Sequence, residues 1–126
     1  MSVVLDASAL LAMVLHEPGR DVVRAALDGA VISTVNLSEV YTKVVEKGLD
    51  VDAVRAAIQT SPIHIVAFGD EHALWTGKLR KQTRAHGLSL GDRACLATAM
   101  HEKRPVMTAD KAWRNLDLGI EVIVIR

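Results

Sequence analysis

Short apolar runs rich in β-branched residues alternate along this chain with longer segments in which apolar residues recur every three or four positions. The short runs lie at 3–5, 30–33, 63–67, 105–107 and 122–125. Each is nearly continuous and bounded by polar or turn residues, as is typical of strands buried on both faces of a sheet. The alternation predicts an α/β fold, a three-layer α/β/α arrangement with a mainly parallel sheet.

The segments between the short runs predict the helices. Helical spacing is found at 10–15, 22–27, 36–46, 52–59, 71–84 and 89–102. The 126 residues contain no internal repeat, low-complexity tract or linker. A chain of this length is sufficient to bury one core, so the sequence predicts a single domain over 1–126.

Composition excludes several classes of site. Aromatic residues make up only 3% of the chain, which provides few rings for a base-stacking surface. The one cysteine, Cys95, lies in an apolar helical segment and is expected to be a core residue. The five histidines are scattered without zinc spacing. No charged leader or apolar run of membrane length is present, so we expect a cytoplasmic protein with no membrane partner.

Four acidic residues lie where predicted strands end or where a predicted core helix begins. Asp6 directly follows the first strand, Asp110 ends the segment of the fourth, and Glu39 comes shortly after the second. Asp92 lies at the start of the 89–102 helix, the most apolar of the set. Because ligand sites in such sheets form beyond the carboxyl ends of the strands, all four side chains are expected at one rim.

Each acidic residue also has an ordinary structural explanation. Asn36 with Glu39, and Ser89 with Asp92, have the spacing of a capping box at a helix start. The other two acids fit a helix cap or an Asx-turn. Only the combination of four points to a functional site.

Four carboxylates at one rim would repel one another and raise each other's pKa unless a cation neutralised them. Hard divalent ions with oxygen ligands, Mg²⁺ or as a substitute Mn²⁺, suit such a site. Ions held in this way can activate water and stabilise the leaving oxygen during phosphodiester cleavage. The net charge is zero, so gathering four acids in a pocket leaves about four excess positive charges elsewhere, which suits an anionic substrate.

Four segments resemble the motifs of the PIN-domain ribonucleases, and among them the VapC-type toxins of type II toxin–antitoxin pairs. These segments are 4–9, 36–40, 89–94 and 108–113. Each is weak alone, but they occur in the family's order and span the whole chain.

The resemblance implies a metal-dependent endoribonuclease that cleaves RNA and acts as a toxin. It implies that Asp6, Glu39, Asp92 and Asp110 form a catalytic Mg²⁺ site, with Asp6 and Asp92 as the most direct ligands. Ser8 and Thr108 would be supporting hydroxyls, and Asn36 would be a capping or supporting residue. The family further implies a five-stranded parallel sheet, a homodimer, and a cognate antitoxin that blocks the site.

Three other functions have sequence requirements that can be compared with this chain. A non-catalytic RNA-binding PIN module typically lacks one or more of the acids, whereas all four are present here. A PIN ribonuclease of RNA maturation would share the motifs, and growth arrest on expression without a partner would distinguish a toxin from it. Phosphotransfer enzymes of the haloacid-dehalogenase type need an Asp-x-Asp pair after the first strand, where this chain has Asp6-Ala7-Ser8. Receiver domains need an early acidic pair that this chain lacks.

Two further surfaces are candidates for partners. Basic residues at the end of the 71–84 helix are expected to be a solvated face, although they are also candidates for RNA contact, as are Lys43, Lys47, Lys111 and Arg114. The first two helices carry an excess of apolar residues, part of which is predicted to form a groove for an antitoxin helix.

Overall fold

Five parallel strands form the centre of the molecule. The computed structural model describes residues 2–126. The strands are β1 (Val4–Leu5), β2 (Val31–Ser33), β3 (His64–Val66), β4 (Val106–Thr108) and β5 (Val122–Val124). The helices are α1 (Ala7–Val14), α2 (Arg20–Ala25), α3 (Thr34–Glu46), α4 (Val51–Thr60), α5 (Asp70–Thr83) and α6 (Leu90–Glu102). Two 3₁₀ turns cover Arg84–His86 and Lys111–Asn115.

The strand order places a crevice at the middle of the sheet. The order is β3-β2-β1-β4-β5, and every adjacent pair is parallel. The chain therefore builds one half of the sheet outward from β1, then crosses over to build the other half from β4. The connections from β1 and β4 leave in opposite directions at this switch point, so their carboxyl ends form the natural ligand site.

Successive residues of the central strands point to opposite faces of the sheet and enter two separate apolar clusters. Leu5 and Ile32 pack in a cluster with residues of the first four helices. Val4 and Val31 pack on the other face with residues of α5 and α6 and with Trp113. This alternation confirms the predicted three-layer α/β/α fold.

The edge strands depart from the prediction that all strands are buried on both faces. Ile65 in β3 is 40% exposed, and the residues of β5 are only half-buried. Each of these strands has one neighbour and little cover, whereas β1, β2 and β4 are fully buried. The prediction is therefore correct for the three central strands and wrong for the two at the edges.

Helix α6 is the buried helix that the sequence indicated. Residues Ala94 to Ala99 along it are all buried. Cys95 lies among them as a core residue, and burial raises the pKa of its thiol well above the ordinary value. Among the described residues, no helix is both long and apolar enough to cross a membrane.

Candidate active site

Asp6 is a buried carboxylate at the carboxyl end of β1. Its Oδ1 accepts hydrogen bonds from the Ser8 hydroxyl at 2.7 Å and from the Ala9 amide at 2.8 Å, which caps α1. Its Oδ2 accepts a hydrogen bond from the Thr108 hydroxyl at 2.5 Å. Both carboxylate oxygens are thus held by fixed donors, and the predicted helix cap is present together with the two predicted hydroxyl partners.

The same hydroxyl groups join the end of β1 to the end of β4. Ser8 Oγ accepts a hydrogen bond from the Ala109 amide at 2.9 Å, and Thr108 Oγ1 accepts one from the Asp110 amide at 3.1 Å. The Asp6 amide itself donates to the Met107 carbonyl at 3.1 Å. The position of Asp6 is therefore fixed by two strands and not by its own loop alone.

Burial raises the pKa of Asp6 to about 6 from its ordinary value of 3.8. The negative charge of Asp92 raises it further, whereas the hydrogen bonds from Thr108, Ser8 and Ala9 act in the opposite direction. Three donors do not offset the loss of solvent around this carboxylate.

Glu39 reaches the site from α3 and is held by a buried amide. Asn36 Nδ2 donates to Glu39 Oε1 at 3.0 Å and to the Gly91 carbonyl of α6, also at 3.0 Å. Burial is the main cause that raises the pKa of Glu39, and the charge of Asp92 adds to it.

The capping box predicted for Asn36 and Glu39 is wrong. Helix α3 begins at Thr34, and its cap is Ser33, whose hydroxyl accepts a hydrogen bond from the Val35 amide at 3.2 Å. Asn36 is a residue of the first turn. Its amide is therefore free to join two helices instead of closing the helix start.

Asp92 lies in the first turn of α6 and forms the predicted capping box with Ser89. The Ser89 amide donates to Asp92 Oδ2 at 3.0 Å, and the Asp92 amide donates to Ser89 Oγ at 3.1 Å. Asp110 is exposed and caps the 3₁₀ turn of Lys111–Asn115 through a 3.0 Å hydrogen bond from the Ala112 amide. Asp117, a spare acid close in sequence, is exposed.

The structure brings all four predicted acids around one cleft. This cleft has a volume of about 290 Å³ and is lined by Asp6, Ala7, Ser8, Leu11, Asn36, Glu39, Lys43, Asp92 and Asp110. A larger cleft of about 470 Å³ lies near the amino ends of β4 and β5, among residues such as Trp75 and Lys103, far in the fold from the acids. The smaller cleft is the one with convergent charge.

Sequence reasoning missed one residue of this site, Gly91. A Cβ atom at Gly91 would lie 2.5 Å from both carboxylate oxygens of Glu39. A glycine in the first turn of an otherwise good helix is a weak sequence signal, and it gains meaning only when the neighbouring helix is known.

The oxygen donors of the cleft fit a hard divalent cation. Asn36 Oδ1, a hydrogen-bond acceptor, is buried beside the acids without a hydrogen-bond partner. Burial raises the pKa of both Asp6 and Glu39, and the negative charge of Asp92 adds to each shift. Within residues 2–126, no three acidic, histidine or cysteine side chains are arranged as a preformed cation cluster. In Asp92 and in Asp110, one carboxylate oxygen already accepts a hydrogen bond from a backbone amide at a helix start.

A family model for the PIN domain matches residues 3–118. The chain belongs to the PIN-domain family. No curated protein matches it by sequence. The switch-point crevice with its acidic cleft is therefore the crevice of a PIN domain.

Several solved structures share the fold of this PIN domain. A chain of a toxin–antitoxin complex from Klebsiella pneumoniae is similar at 20% identity and a TM-score of 0.78, over 99% of this chain and 98% of that one. VapBC2 from Rickettsia felis, bound to a promoter DNA fragment, is similar at 18% identity and a TM-score of 0.76, over 97% of both chains. VapC20 from Mycobacterium tuberculosis, a toxin that cleaves the sarcin-ricin loop, is similar at 12% identity and a TM-score of 0.72. The match covers 86% of this chain and 88% of that one. At these identities the likeness establishes the fold.

The raised pKa of Asp6 predicts an unusual pH dependence for this PIN domain without metal. A carboxyl whose pKa rises on folding contributes stability that is present below its ordinary pKa of 3.8 and is lost as the pH rises through about 6. The shift corresponds to about 3 kcal/mol. We expect urea unfolding in the presence of a chelator to show this effect. The free energy of unfolding of Asp6→Asn minus that of wild type should increase by about 3 kcal/mol as the pH rises from 4 to 7.

The matched control for this experiment is Asp50→Asn, which alters another capping carboxylate, at the start of α4. It should leave the pH-dependent component of Asp6 in place. A difference between wild type and Asp6→Asn that stays constant with pH would show that Asp6 is not the source of the effect.

Proposed function

We propose that this PIN domain is a metal-dependent endoribonuclease that hydrolyses RNA phosphodiester bonds and serves as the toxin of a toxin–antitoxin pair. The observation that carries the proposal is the convergence of four carboxylates, from four separate segments, on one cleft at the switch point of the sheet. Family membership and the shared fold of toxin–antitoxin proteins support it. VapC20, which has the same fold, cleaves the sarcin-ricin loop, and its activity indicates the class of reaction.

The proposed cofactor is Mg²⁺, with Mn²⁺ as a substitute, held by Asp6 and Asp92 together with Glu39 and Asp110. When bound, such an ion lowers the pKa of water and neutralises charge on the reacting phosphate.

The residues around the cation site have separate roles in this proposal. Ser8 and Thr108 hold the Asp6 carboxylate in one orientation, because each donates to a different oxygen of it. Asn36 does the same for Glu39. In the metal-free protein, burial and the charge of Asp92 raise the pKa of the Glu39 carboxyl.

We also propose that RNA follows the exposed face of α3. Glu39, Lys43 and Lys47 are four residues apart and so lie on one stripe of the helix, with a rise of about 6 Å between neighbours. A second cleft of about 210 Å³ shares Ser8, Leu11 and Lys43 with the acidic cleft and continues to Lys47. Neither lysine takes part in an ion pair within residues 2–126. A strand whose reacting phosphate lies at the acids would place flanking phosphates beside these ammonium groups.

Lys43→Ala and Lys47→Ala should each weaken RNA binding and flatten its dependence on salt. The slope of log K against log salt is negative, and its magnitude should decrease by about 0.7 for each phosphate that no longer has an ammonium partner. Lys78→Ala and Lys81→Ala on α5 are the controls, and they should leave the slope unchanged. A slope that changes only in the α5 variants would instead place the RNA along α5.

An apolar groove is the proposed docking site of the antitoxin. The groove has a volume of about 360 Å³ and lies between α1 and α4, with Met13, Val14, Leu27 and Val54 among its lining. Part of the apolar excess predicted for the first two helices is therefore in the groove, whereas Val23 is in the core. An amphipathic antitoxin helix would cover such a groove.

A homodimer and a cytoplasmic location complete the proposal. Three exposed apolar residues are available for a self-association surface: Val45 on α3, Leu49 just after α3, and Ile65 on β3.

Purified protein without antitoxin should cut total RNA into discrete products with Mg²⁺ and not with chelator. Asp92→Asn should lower the rate by about 100-fold or more, because it removes charge where the ion and the transition state need it. Asp117→Asn removes an exposed acid outside the cleft and should cut at the wild-type rate. Thermal melting of both variants checks that the Ser89–Asp92 cap has not failed. Equal cleavage with and without the Asp92 carboxylate would contradict the proposed site.

A further inference from the structure

Helices α3 and α6 approach each other at a position where a side chain is missing. Gly91 is the second residue of α6 and is buried. A Cβ atom there would lie 2.5 Å from each Glu39 carboxylate oxygen and 2.6 Å from Glu39 Cδ, well inside van der Waals contact. The carboxylate therefore occupies the space that a side chain at this position would fill.

The backbone conformation of Gly91 does not itself require glycine. Its φ lies outside the left-handed region, unlike that of Gly19, Gly29 or Gly87. Alanine would fit the helix and favour it, because alanine is the better helix former. The obstacle to a side chain is thus the Glu39 carboxylate and not the local backbone.

A hydrogen-bond fork fixes the same contact from the other side. The Asn36 amide donates to the Gly91 carbonyl and to Glu39 Oε1, both at 3.0 Å. Asn36 is 1% exposed, and its hydrogen bond to the Gly91 carbonyl is buried, whereas its hydrogen bond to the Glu39 carboxylate is only partly buried. The fork ties the Glu39 carboxylate to the first turn of α6, one residue before Asp92.

We propose that Gly91 is a positioning residue, whose missing side chain admits the Glu39 carboxylate against α6 and so sets its separation from Asp92. The proposal rests on the proposed function in taking Glu39 and Asp92 as ligands of one cation site. A methyl group at position 91 displaces the end of the flexible Glu39 side chain. Displacement weakens the hydrogen bond from Asn36 to Glu39 and changes the separation of the two carboxylates.

The first test is a double-mutant comparison in metal-free protein. In α5, a Cβ at the helical Gly77 meets nothing within 4 Å, so Gly77→Ala reports the gain from helix propensity alone. Gly91→Ala should raise Tm less than Gly77→Ala in the wild-type background. In a Glu39→Ala background, Gly91→Ala should raise Tm more than it does in the wild-type background, because the obstacle has gone. If Gly91→Ala alone fails to fold, the double variant with Glu39→Ala should still fold.

The second test is Mn²⁺ affinity by titration calorimetry. Gly91→Ala should weaken Mn²⁺ binding at least about 10-fold, as loss of a residue that orients a ligand does, while Gly77→Ala leaves the affinity unchanged. Absence of coupling between positions 91 and 39 in the metal-free protein would overturn the proposal whatever the protein does to RNA. Coupling in a protein that binds no Mn²⁺ and cuts no RNA would keep the helix contact, reject the proposed function and overturn the role of Gly91 in a cation site.

Discussion

The burial of one carboxylate at the end of the central strand is the constraint on which the rest of the site depends. Asp6 gives up its solvent for three donors, two of them the side chains of Ser8 and Thr108. The same hydroxyls accept amide bonds from the turn after β4, so strand pairing, helix capping and carboxylate orientation are satisfied together. The structure can hold Asp6 rigidly only because β1 and β4 are adjacent, and they are adjacent because the sheet switches direction there.

A rigid buried carboxylate is costly, and the cleft concentrates that cost. The pKa values of Asp6 and Glu39 are raised first by burial and then by the charge of Asp92, so the acids weaken one another's ionised forms. A divalent cation would remove this penalty, which is why a site of this kind is less stable without its ion near neutral pH. In the metal-free protein the acids that the proposed function requires therefore lower stability, and a bound cation would reverse that effect.

Much of the fold is accessible from the sequence because its signals are local. Short β-branched runs locate β1 to β5 to within two residues, and the buried character of α6 is visible in its composition. The four acids can be predicted from the sequence because each follows a strand or opens a helix. The exposure of β3 and β5 cannot be predicted in this way, since edge positions depend on strand order. The cap of α3 is Ser33 and not the predicted Asn36, because Ser, Thr and Asn close together offer several starts. Gly91 escapes sequence reasoning because its role lies in a contact between two helices.

The most direct test of this account is proton release on Mn²⁺ binding, measured near pH 6 by calorimetry in two buffers of different ionisation enthalpy. A cation that binds the buried Asp6 carboxylate must displace the protons that its raised pKa of about 6 holds there. The account predicts net proton release by the wild-type protein and a smaller release, with weaker binding, by Asp6→Asn. Binding without proton release, or equal release by the two proteins, would contradict it.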